Sequence, residues 1–122
     1  MHKLLIALVS AGLILSASTA TILAITPTHA VAQSYNCAHA ELPAEIAICG
    51  NANLSHLDEQ TTGMYFLIVG SGAPAATVAT VKTQQGKFLA TRNACGADID
   101  CLVDAYTDQI MFLKNEKSTL GL

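Results

Sequence analysis

Beyond residue 40 the chain repeats one spacing of apolar positions. Leu54, Leu57, Thr61, Met64, Tyr65 and Ile68 fall at offsets 0, 3, 7, 10, 11 and 14, and Val78, Val81, Gln85, Phe88, Leu89 and Arg92 repeat those offsets. Returns every three or four residues line one face of an α-helix, whereas a half-buried strand alternates every second residue. Gly70-Ser71-Gly72-Ala73-Pro74 separates the two stripes, so they predict an antiparallel helical hairpin. Cys101, Leu102, Ala105, Tyr106, Gln109, Ile110 and Leu113 form a further stripe that fades into polar Lys114-Asn115-Glu116-Lys117. Ahead of the hairpin, Leu42 to Cys49 carries Pro43 near the first helical position and Glu45 in the first turn, which predicts a short opening helix closed by Gly50. Asn51 or Asn53 then suits the cap of the next helix. The expected architecture is all-α, a small bundle of three to four helices.

The first 32 residues follow a different pattern. One charge, Lys3, precedes a long stretch from Leu4 to Ile25 without any charged residue. Pro27 and small residues follow, in the order of a secretory signal peptide. Small side chains allow cleavage after Ala30 or after Ala32, and the second makes Gln33 the expected mature start. Such a stretch is also about long enough to span a bilayer. Its serines, threonines and glycine dilute it, however, and a cleavage site follows. The domain division is therefore a signal peptide over 1–32 and a helical domain over 33–122, with a periplasmic or secreted location and no stable membrane span after cleavage.

Charge then narrows the partners. Every acidic residue lies at Glu41 or later, and residues 33–122 hold five basic side chains against nine acidic ones, a formal charge of about −4. That balance repels phosphate backbones and makes nucleic acid a poor partner, while a strongly cationic protein would be attracted.

All four cysteines, Cys37, Cys49, Cys95 and Cys101, lie in the exported part, and an even count in a short secreted chain implies two disulfides. Three pairings are formally possible, and geometry favours the local one. An extended arm from Cys37 to Glu41 covers roughly 13 Å, and a helix from there to Cys49 returns about 12 Å. Cys95 and Cys101 would stand roughly 9 Å apart on an unbroken helix, beyond the limit near 7 Å. Gly96 and Asp98 supply the needed corner, one ending a helix and the other capping the next. A zinc site from Cys37, His39, Cys49 and His56 is the competing use of these residues, but its spacing matches none of the usual zinc patterns. No metal and no cofactor are expected.

Taken together, the motifs resemble the LprI-type lysozyme-inhibitor family, specifically its small N-terminal domain. They comprise Tyr35-Asn36-Cys37, Glu45-Ile46-Ala47-Ile48-Cys49, Leu54-x-x-Leu57-Asp58 with Tyr65, Gln85-x-x-Phe88-Leu89-x-x-Arg92-Asn93-x-Cys95, and Asp100-Cys101-Leu102-x-x-x-Tyr106. The match covers about residues 35–113. Phe88 stands where the family usually has Trp, Gln109 where it often has a basic residue, and Thr61 and Gly63 replace better helix formers. What the resemblance implies is a secreted or periplasmic helical domain; inhibition of lysozyme has been attributed to one member.

Catalytic chemistry finds little support. The serines lack a G-x-S-x-G context, paired cysteines leave no thiol nucleophile, and Glu41, Glu45, Asp58 and Glu59 read as cap and dipole residues. No catalytic residue is assigned and no enzyme is expected. Phe88, Tyr65 and Tyr106 read as core. Asp58 and Arg92 sit in or beside apolar stripes, which predicts a partly buried ion pair across the hairpin, held by the bidentate geometry of arginine. Asp100, Asp104 and Asp108 share one helical face and form the candidate contact for a cationic partner such as lysozyme. The alternative is a non-catalytic envelope accessory protein that binds another protein or a cell-wall component.

Overall fold

The computed structural model describes residues 35–122; the expected leader, its two candidate cleavage positions and Gln33 lie outside them. The described residues form a 3₁₀ turn over Cys37–His39 and four α-helices: α1 (Pro43–Gly50), α2 (Ala52–Val69), α3 (Ala75–Ala94) and α4 (Ile99–Leu120). The protein is all-α, with no strand among these residues.

Three of the four helices begin where a side chain accepts from the N–H groups at the helix start, and α3 begins after Pro74 without such a cap. Glu45 reaches back from the first turn of α1, and its Oε2 accepts from the N–H groups of Glu41 and Leu42 at 3.2 and 3.3 Å. At α2 the cap is Asn51, whose Oδ1 accepts from Leu54 N at 3.1 Å. Asp98 caps α4 in the same way, accepting from Cys101 N at 3.0 Å. The stretch from Ala75 to Thr83, rich in β-branched residues of lower helix propensity, is nonetheless helical. Its Val81 is fully buried, so tertiary packing decides there.

Helices α2, α3 and α4 run up, down and up, and α1 packs across one end of them. Two apolar clusters fill the interior. The larger joins Ala44 and Ile48 of α1 to Leu54, Phe88, Leu102, Ala105 and Tyr106, with the Phe88 and Tyr106 rings edge to face at 5.1 Å. The smaller joins Ile68, Val81 and Leu113 at the far end. Between them lies a polar layer. Gln109, buried in α4, donates through Nε2 to Gln85 Oε1 of α3 at 2.9 Å and accepts from Gln84 Nε2 at 3.4 Å. Thr61 of α2, also buried, donates to its own helix at Leu57 O over 2.7 Å. A buried amide must find its partner, so this layer fixes the axial register of α3 against α4. In addition, α4 continues beyond the fading stripe, ending at Leu120 with Gly121 in the left-handed conformation.

Both disulfides are local. Cys37–Cys49 ties the arm before α1 to its last turn, with Cα atoms 5.7 Å apart. Cys95–Cys101 closes the corner between α3 and α4, with Cα atoms 5.6 Å apart. Gly96 turns that corner at φ 57°, the left-handed position that favours glycine. His39 and His56 are exposed.

Each short loop limits the unfolded chain and contributes about 2–3 kcal/mol. Replacing either cysteine pair by serines should therefore lower the urea midpoint by that equivalent while leaving helical circular dichroism intact. A loss below about 0.5 kcal/mol for both pairs would mean that the bundle holds without its staples.

Candidate functional site

Two groups of side chains stand out, one buried and one exposed. The buried group centres on Arg92, which the last turns of α3 carry beneath the N-terminal arm. Arg92 and Asp58 are both almost fully buried, and Arg92 Nη1 lies 3.8 Å from Asp58 Oδ1. Its Nη2 lies 3.9 Å from Glu45 Oε1 of α1. One cation thus faces two carboxylates, each from a different helix.

Further groups surround this pairing. Two nitrogens of Arg92, Nε and Nη2, donate to the side-chain oxygen of the adjacent Asn93, at 3.1 and 2.9 Å. At Asp58 Oδ1 the short bond, 2.7 Å, is donated by the hydroxyl of the fully buried Tyr106. Another is Tyr35. Its ring covers the guanidinium, with Arg92 Cζ 5.3 Å from the ring centroid, and its hydroxyl donates to Glu45 O at 3.1 Å. The same hydroxyl lies 3.9 Å from Cys49 Sγ, so the arm, the first disulfide and the buried cation meet at one point.

Sequence reasoning placed Asp58 and Arg92 as partners but missed Glu45 and Tyr35. Glu45 had been explained by its helix-start position, and it does serve that role with one oxygen while the other faces Arg92. For Tyr35 the available signal was its place two residues before Cys37, inside the covalently tied arm.

Burial governs the electrostatics of both tyrosines. Desolvation, reinforced by the Asp58 carboxylate, pushes the Tyr106 phenol well above its usual range. Tyr35 is raised for the same two reasons, in the same order. A neutral phenol that donates to a carboxylate keeps that carboxylate solvated by protein rather than by water. Chemically the group is a tie between elements, since its ionic core is sealed. Among the described residues no group of three or more His, Cys, Asp or Glu side chains could hold a metal ion, and no helix is long and apolar enough to cross a membrane.

The exposed group lies on α4. Asp100, Asp104 and Asp108 all reach solvent, one helical turn apart. Three residues beyond Asp108 the same stripe presents Met111, 65% exposed. Asp108 also lines a shallow cleft of about 120 Å³ that Lys87 of α3 shares. Asp98 is occupied in capping and faces the helix start.

Comparison with protein-family models, with curated proteins and with solved structures finds no match for this chain.

The raised phenol of Tyr106 gives a pH signature. Its folded pKa lies above the unfolded value of about 10, so the unfolded chain releases this proton first and stability is complete below that pH. Above pH 10 stability should fall by about 1.4 kcal/mol per pH unit from this one group. Urea unfolding of Tyr106→Phe should show a correspondingly flatter alkaline decline. An equal decline in both proteins would contradict the assignment.

Proposed function

We propose that the protein is an exported, non-catalytic binding protein that inhibits a cationic cell-wall hydrolase of the lysozyme type by direct contact. The observation that carries the reading is the acidic stripe of α4, where Asp100, Asp104 and Asp108 stand exposed beside an exposed Met111. An exposed apolar side chain at the end of a charged stripe suits a small protein-protein contact. The apolar group loses water, and the charged stripe steers the partner and sets its orientation. The net charge of residues 33–122 has the same sign as the stripe, so the field of the whole domain attracts a basic enzyme.

Rigidity supports the same reading. A helix that is capped at Asp98, stapled at Cys101 and held by buried Tyr106 and Gln109 presents its outer face with little freedom to lose on binding. The resemblance to LprI-type inhibitors names the enzyme class. Export follows from the leader pattern and agrees with two disulfides, which persist outside reducing compartments.

Lysozyme turbidity assays with the isolated protein test this directly. Inhibition should be strongest at low ionic strength, because contacts between exposed charges are screened within about 8 Å at physiological salt. Changing Asp100, Asp104 and Asp108 together to Asn should weaken inhibition about tenfold at low salt and much less at high salt. Unchanged lysozyme turnover with excess protein would remove the reading, and equal inhibition by the triple variant would remove the stripe from it.

A further inference from the structure

A different surface, between α2 and α3, carries a second set of features that neither the core nor the acidic stripe uses. Thr62, Tyr65 and Phe66 of α2 and Gln85 and Leu89 of α3 enclose a cleft of about 220 Å³. Its most prominent wall is Phe66, 62% exposed, braced edge to face by Tyr65 with ring centroids 5.2 Å apart. Leaving such a ring in water forgoes a large burial gain.

The polar groups of the cleft are equally unspent. Thr62 is only 6% exposed, yet its hydroxyl makes no hydrogen bond to another described residue, in contrast to its neighbour Thr61. Every side-chain oxygen or nitrogen that is sealed from solvent among the described residues has a partner. The Thr62 Oγ1 is therefore not sealed from solvent, and the residue lines this cleft. Gln85 is oriented by the amide relay of the polar layer, because its Oε1 accepts from the buried Gln109. That bond occupies Oε1 and leaves the Nε2 donor of a residue that also lines the cleft. None of the lining residues carries a charge.

We propose that this cleft binds one neutral pyranose ring of a saccharide. The C–H edges of such a ring, positive in the local field, suit the negative face of Phe66. Its ring of hydroxyls, each both donor and acceptor, suits a fixed amide donor beside a hydroxyl that must otherwise bond water. A charged ligand would find no counter-charge in the lining, and a purely apolar one would bury Thr62 Oγ1 and Gln85 Nε2 without partners, which is costly. The volume lies below the range of about 300–1,000 Å³ that holds drug-sized ligands, so it suits a single ring. The site lies on α2 and α3, apart from Asp100, Asp104 and Asp108, and stands or falls independently of hydrolase inhibition.

Proton-nitrogen correlation spectra of the isolated protein, titrated with methyl β-glucopyranoside and in parallel with cyclohexanol, test the proposal. The glucoside should produce saturable shifts at the Gln85 side-chain amide and along residues 62–66 and 85–89. Phe66→Ala, an exposed position, should weaken binding at least about tenfold, and Thr62→Val should weaken it several-fold while helical circular dichroism is unchanged. Asp104→Asn should have no effect on the glucoside. Absence of saturable shifts would overturn the proposal, as would shifts that survive Phe66→Ala unchanged. Cyclohexanol binding as tightly as the glucoside, with no loss in Thr62→Val, would also overturn it.

Discussion

A guanidinium taken out of water sets the terms for this fold. Removing a charge from solvent costs several kcal/mol even after relaxation, and the cost is recovered only if every nitrogen finds an oxygen or a π face. Arg92 finds them on separate elements: Asp58 on α2, Glu45 on α1, Asn93 on its own helix and the ring of Tyr35 on the arm. Tyr106 of α4 completes the arrangement by bonding Asp58. A helix displaced from this set would leave a buried charge uncompensated. The polar centre thus specifies how α1, α2, α3, α4 and the arm come together, which apolar contacts alone do with less discrimination.

The disulfides and the second polar layer extend that specification toward the two ends. Cys37–Cys49 keeps Tyr35 over Arg92, and Cys95–Cys101 sets the angle at which α4 leaves the corner. Toward the far end the Gln84, Gln109 and Gln85 relay holds α3 and α4 in register. Both surfaces that carry functional readings hang on these ties. The acidic stripe is the outward side of the helix whose inner side holds Tyr106 and Gln109. The neutral cleft is lined by the residue that ends the glutamine relay.

The helical stripes were legible in the sequence because their period is a direct consequence of helix geometry, and six of the seven positions singled out on α4 are buried. The exception, Cys101, spends its side chain on the disulfide. Caps at Asn51 and Asp98 and the corner at Gly96 were legible for the same local reason. Polar residues of the interior were less so. Asp58 lies one position beyond Leu57, and the structure buries Asp58 more deeply than Leu57. Thr62 is likewise buried, one position beyond the stripe residue Thr61. Thr61 and Arg92 fall on the counted offsets but Asp58 and Thr62 do not, so the count finds the face without its full polar width. Glu45 and Tyr35 were hidden for a related reason, since their partner lies about fifty residues away and no local spacing records it.

The dependence on Arg92 is tested most directly by a double-mutant cycle on stability, using Asp58→Leu, Arg92→Leu and the pair, with urea unfolding as the readout. Removing one partner strips the other of a buried counter-charge, at a cost of up to about 3–5 kcal/mol, whereas removing both spares most of that penalty. The account predicts a double variant more stable than the sum of the single losses implies, by about 1–3 kcal/mol. Losses that add to within about 0.5 kcal/mol would contradict it and leave the two side chains as separate, uncoupled residents of the core.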